Sequence, residues 1–121
     1  MQEVPGTVGW IAKFRNAFRG IVVGVRRQNS FAIHIPAAIL VLALAIWFQL
    51  EIFQLLLLVV CITIVLTSEL FNSAIEKLGK SITSEYDENL RDALDIASGA
   101  VLLASILAAL IGATIFLFAI M

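Results

Sequence analysis

The chain has 121 residues, 61% hydrophobic and 14% charged, with a formal net charge of −1 and a mean hydropathy of +1.03. Soluble domains hold about 45–50% apolar and about 25% charged residues, so the balance excludes a soluble globular protein, and no nucleic-acid partner is expected. The single cysteine, Cys61, lies in an apolar run and reads as a small buried hydrophobe, leaving neither a disulfide framework nor a CxxC metal pair.

The length predicts one membrane domain, residues 1–121. The opening MQEVPGTVGW lacks the basic, apolar and small-residue order of a cleavable signal peptide. Across residues 8–28, Trp10, Phe14, Ala17, Phe18 and Ile21 recur at three- and four-residue steps opposite Lys and Arg. That pattern predicts an amphipathic helix lying in the membrane interface, its basic face toward anionic lipid.

Residues 31–50, FAIHIPAAILVLALAIWFQL, carry no formally charged side chain and match the ~20 residues needed to cross ~30 Å of hydrocarbon. Pro36 is placed near the start of this span, where a missing amide costs least. A short turn around Gln49, Leu50 and Glu51 leads to a second membrane helix over 52–80. Its apolar part is IFQLLLLVVCITIVLTS, residues 52–68. A third is expected over 92–120, and the second and third extend into the cytoplasm. In the third, Ala100, Ala104, Ala108 and Gly112 form a stripe of small residues, a seam for close helix packing in lipid and a reason to expect an oligomer.

All eight basic residues lie before the first span (Lys13, Arg15, Arg19, Arg26, Arg27) or between the second and third (Lys77, Lys80, Arg91). Basic loops stay cytoplasmic, which predicts a cytoplasmic N-terminus and an outside C-terminus.

The second span ends in ELFNSAIEKLGKS, residues 69–81. Its last eight residues match the loose phosphate-loop pattern with Ala74 in place of the first glycine. A true phosphate loop joins a strand to a helix, so the match at the end of a membrane helix is chance. Read as helix, Glu69 and Glu76 are seven apart and share a face, ~10 Å apart along the axis, with Asn72 and Ser73 between them. Glu76 and Lys80 also form an i,i+4 pair, but this leaves Glu69 at the end of an apolar run unexplained, and ionisable groups at membrane depth are usually functional. A second polar cluster, SEYDENLRDALD at 84–95, leads to Asp95 and Ser98 at the same boundary. Two carboxylates without a His/Cys ligand set suit a hard, oxygen-binding cation such as Mg²⁺.

The motif E-x-x-N-S-A-I-E at 69–76, with S-E-Y at 84–86, D-I-A-S-G-A-V-L at 95–102, FRNAFRGI at 14–21 and NSFAIH at 29–34, resembles the prokaryotic diacylglycerol kinase family, which includes undecaprenol kinases. The resemblance implies an all-α membrane fold: an N-terminal surface helix plus three transmembrane helices, assembled as a homotrimeric bundle with active sites shared between subunits. It implies a multi-pass protein of the bacterial plasma (inner) membrane that transfers phosphate from MgATP to a lipid hydroxyl. The acceptor it implies is diacylglycerol, giving phosphatidic acid, with undecaprenol as the alternative. Glu69 corresponds to the general base and Asn72 to its positioning partner. Glu76 corresponds to a metal carboxylate, with Gln28 at the second metal position. Gln28, Glu76, Glu85, Tyr86, Asp87, Arg91 and Asp95 fall at the nucleotide, and Phe31, Glu69 and Ser98 on the lipid side.

Many members carry glutamate at the position of Gln28, arginine at Ala32, aspartate at Lys80, histidine at Asp87 and a phosphate-binding lysine at Leu94. Arg91, one turn before Leu94, and Lys80, one turn beyond Glu76, each offer a replacement cation. Gln28 and Leu94 fit a non-catalytic member that binds nucleotide without transferring phosphate; Glu69, Asn72 and Glu76 fit a kinase. A proton-coupled transporter would carry its ionisable groups near mid-bilayer, and here they gather at one boundary.

Overall fold

The computed structural model describes residues 9–27 and 29–121. These residues form helices α1 (Trp10–Arg27), α2 (Phe31–Trp47), α3 (Ile52–Ile82) and α4 (Glu88–Ile120), without a strand. The all-helical expectation holds. α3 and α4 are each long and apolar enough to cross a membrane. α2, with 17 residues, is at the short end of the ~17–25 residues that span a bilayer.

α1 is amphipathic, with Trp10, Phe14 and Phe18 exposed along one side and Lys13 Nζ 5.0 Å from the centre of the Trp10 ring. It bends away from α2 by 99° and meets α3 at Gly24, where an added Cβ would lie 2.6 Å from Leu70 Cδ2. The glycine permits that approach.

α2 starts after its N-cap residue Ser30, so Pro36 lies in the second turn and not the first. Its ring therefore cannot supply the bond to the carbonyl of Ala32. The helix ends at Trp47, short of residue 50. Gln49 adopts φ 53°, its N–H donates to Ile46 O and that of Leu50 donates to Ala45 O. This paired closure, with a left-handed residue after the last turn, satisfies the final carbonyls of the helix. Glu51 N–H then donates to the Gln54 side chain at 3.2 Å, opening α3.

α3 has 31 residues and α4 has 33, or about 46 and 50 Å at 1.5 Å per residue. Both overrun the ~30 Å hydrocarbon thickness, so the hairpin they form projects well beyond the bilayer. Its closed end is the connection Thr83–Asp87, in which Glu85 N–H donates to Thr83 Oγ1 at 3.0 Å. Asp87 Oδ1 accepts the Leu90 N–H at 2.9 Å. That cap starts α4 at Glu88 and not at residue 92. Gly79 is buried against Leu90, where a Cβ would approach to 2.8 Å, drawing the two arms together.

The core lies toward the Gln49 turn: Ala45, Leu58 and Ile115, packed by Val41, Leu50, Leu55, Ile111 and Phe116. Phe48 and Phe116 add an edge contact with ring centres 6.0 Å apart. The small-residue stripe of α4 is used within the chain: Ala104 is buried, and Gly112 stands 3.9 Å from Leu58 by an added Cβ. Thr63, Ser68 and Thr114 donate to carbonyls one turn back on their own helices, which satisfies the hydroxyls of the apolar spans locally.

Candidate active site

α3 carries Glu69 to the point where it passes the start of α2. The carboxylate is 4% exposed, and burial of an ionised group demands partners. Both come from the first turns of α2. Ser30 Oγ donates to Glu69 Oε2 at 2.8 Å, and His34 Nε2 lies 3.0 Å from Oε1. With the hydrogen on Nε2 this is a donor–acceptor contact onto the carboxylate. Neither residue was assigned a role by the sequence. A signal was present, because Ser30 and His34 are four apart at the head of an otherwise apolar span.

One turn further along α3, Asn72 Nδ2 donates to Glu76 Oε1 at 3.1 Å. The Asn72 Oδ1 atom is buried without a hydrogen-bond partner, so it retains an acceptor for an incoming hydroxyl or amide. Ser73, beside it, is buried. α3 thus presents a polar ladder: Glu69 tied to α2, then Asn72 tied to Glu76.

Beyond the ladder a cleft of about 310 Å³ opens between the projecting arms, lined by Glu76, Gly79, Lys80, Thr83, Ser84, Leu90 and Leu94. Glu76 and Lys80 share its wall, a carboxylate and an ammonium one turn apart. Glu85, Tyr86, Arg91 and Asp95 lie outside that wall. Tyr86 is 75% exposed, and Arg91 Nε is 3.8 Å from Asp95 Oδ2 in an exposed pair. Asp87 is occupied in capping α4. Ser98 is exposed on α4, while Phe31, expected on the lipid side, is 2% exposed and packs within the chain. Gln28 lies outside the described residues. Among the described residues no three His, Cys, Asp or Glu side chains converge on one point.

A separate cavity of about 400 Å³ runs into the apolar half between α2, α3 and α4, with His34 at its wall beside Ala37, Val41, Val65 and Leu66. His34 therefore stands between this apolar space and Glu69.

The sequence profile of the family described as prokaryotic diacylglycerol kinase matches residues 15–116. A diacylglycerol kinase of Synechocystis sp. is 32% identical over 108 residues, covering 88% of this chain and 62% of that protein. An undecaprenol kinase of Bacillus subtilis is 33% identical over 104 residues, covering 86% of this chain and 85% of that protein. The chain thus spans under two thirds of the first relative and most of the second. The match takes in α2, α3, the cleft and nearly all of α4, and on that ground the chain belongs to the prokaryotic diacylglycerol kinase family.

Proposed function

We propose that the chain transfers the γ-phosphate of MgATP to the hydroxyl of a membrane lipid alcohol, with Glu69 as the general base. The observation that carries this reading is the buried Glu69 carboxylate, held at the apolar boundary on the same helix as the Glu76–Lys80 cleft. A lipid hydroxyl arrives from the bilayer side and the nucleotide from the cytoplasmic side. Glu69 accepts the hydroxyl proton as the lipid oxygen bonds to the γ-phosphorus, and the bond from that phosphorus to the bridging oxygen of ADP breaks in line. Asn72 offers its free Oδ1 to orient the acceptor or the nucleotide. Lys80 and Arg91 are the candidate phosphate cations, and the shared cleft wall favours Lys80.

Glu76 and the neighbouring Asn72 amide are oxygen donors of the kind Mg²⁺ takes, and Mg²⁺ is usually held by one or two carboxylates plus substrate phosphates. Glu76 would hold such an ion, which would supply charge neutralisation at the transferring phosphate. Glu76 supplies the chain's own carboxylate; Gln28 is the family's second position. A site built from so few groups of one chain is consistent with completion by a neighbouring subunit in a homotrimer. The cytoplasmic N-terminus and outside C-terminus follow from the basic residues, which gather on the side of the projecting hairpin.

Diacylglycerol is the acceptor proposed first. Undecaprenol is the second reading, supported by the fuller coverage of the undecaprenol kinase relative. Purified protein given labelled ATP and each lipid, with and without Mg²⁺, tests the scheme. Phosphorylation of one lipid, dependent on Mg²⁺ and reduced about 10²–10⁴-fold in Glu69→Gln, is expected. ATP binding without transfer to either lipid would make the chain a non-catalytic member.

A further inference from the structure

We propose that Ser30 and His34 form a two-point clamp that fixes the Glu69 carboxylate for the reaction, His34 acting as a positioning residue through its Nε2. The inference rests on the reading of Glu69 as the base.

Ser30 is the N-cap residue of α2, and a serine there ordinarily accepts an N–H from its own helix. Its side chain makes no such cap bond. The hydroxyl is turned instead onto Glu69 Oε2, 39 positions away in sequence, at 2.8 Å. One turn later on the same face, His34 reaches the other carboxylate oxygen at 3.0 Å. Each oxygen of Glu69 therefore has one partner, both from α2. Rotation of the carboxylate about its terminal bond breaks both contacts together. An ionised carboxylate offers about four lone-pair sites, so two remain for the acceptor hydroxyl.

The surroundings of the imidazole support the assignment. The other residues lining the cavity between α2, α3 and α4 are apolar or small, among them Ala37, Ala38, Val65 and Leu66. Glu69 is the polar group the structure records in contact with His34. A general base depends on proton-accepting geometry held before the substrate arrives. The clamp provides that orientation from outside the nucleotide cleft, so its loss acts on turnover and spares ATP recognition.

The test uses the full chain in lipid vesicles, with whichever lipid alcohol the parent protein phosphorylates, and compares kcat with KM for ATP. His34→Ala should lower kcat about 10–100-fold with KM for ATP within about twofold, the range for loss of a hydrogen bond to a charged group. Ser30→Ala should lower kcat about tenfold. His34→Gln places an amide N–H near the position of Nε2 and should recover most of the His34→Ala loss, which a purely space-filling role would not produce. Ser30→Ala removes no cap bond, so it tests the clamp even where His34→Ala fails to fold. Parent-like kcat in both Ser30→Ala and His34→Ala, with Glu69→Gln inactive, overturns the clamp and leaves Glu69 as base. His34→Gln no better than His34→Ala overturns the hydrogen-bond role of His34. Parent-like turnover in Glu69→Gln, or no turnover in the parent, overturns the base assignment and the clamp with it.

Discussion

The two ends of this helical bundle are held together in opposite ways. At the Gln49 end, Ala45, Leu58 and Ile115 interlock, Phe48 meets Phe116, and main-chain bonds close the turn. At the other end, α2 is joined to α3 by two polar contacts onto one buried carboxylate, and the arms of α3 and α4 part around a cleft. Lipid tails are as apolar as leucine, so packing fit and polar contacts, more than expulsion of water, hold membrane helices together. The difference teaches that the tight apolar end can fix the helix register that the polar end needs, while the polar end remains open to ligands.

Substitutions that affect one end alone sharpen this division. After Glu69→Gln, the largest effect is expected from Glu76→Gln, which removes the carboxylate shared by Asn72 and the cleft. MgATP binding should weaken about 10–100-fold, the cost of a charge-assisted contact, with thermal stability unchanged. Titration of nucleotide with and without Mg²⁺ measures it, and an unchanged Mg²⁺ requirement would remove Glu76 from the metal site. At the opposite end, Leu58→Ala should destabilise the protein by about 2 kcal/mol, the low end of the range for such cavities, because little hydrophobic transfer is gained between lipid and core. Unfolding in detergent reads this loss, and KM for ATP should not move.

The cleft itself separates two cations. Lys80→Ala should weaken ATP binding about tenfold, whereas Arg91→Ala should change it less than about threefold, since an exposed ion pair contributes about 0–1 kcal/mol. Leu94→Lys should restore affinity more in the Lys80→Ala background than in the parent, a non-additivity expected of residues sharing one ligand. Equal gains in both backgrounds would mean the two positions act separately. The smallest effect is expected from Gln49→Gly. A non-glycine residue at φ 53° bears roughly 1–2 kcal/mol of strain, partly offset by the entropy of glycine in the unfolded chain. The melting temperature should rise by a few degrees, with turnover unaffected.

Much of this arrangement was legible in the residues. The apolar runs and three- to four-residue periodicity set out the helices, and the carboxylates ending the second run marked one face of the site. The start of α4 falls four positions before residue 92 because the Asp87 oxygen caps the Leu90 N–H, a local bond that hydropathy does not register. The clamp was missed for a different reason. Which residue of α2 meets Glu69 depends on how the two helices slide past each other, and neither helix's own periodicity fixes that register. The Ala100–Gly112 stripe was visible, but small residues do not say whether the helix they admit belongs to the same chain. Phe31 comes to the lipid side through the family resemblance alone, and in the fold it is buried within the chain.

The short α2 has a mechanical consequence. From Phe31 to Trp47 it measures about 25 Å, and it connects the far turn to the clamp on Glu69 like a strut of fixed length. If α2 spans the bilayer, the Glu69 carboxylate is thereby set at one height above the opposite face. A thicker membrane would draw that height down into the acyl chains, and adjustment costs fractions of a kcal/mol per Å. Reconstitution in lipids of graded chain length should show turnover greatest where the hydrocarbon is about as thick as this strut is long; a flat response would mean that the strut does not set the depth. Membrane thickness would then act as a dial on turnover, through the length of one helix.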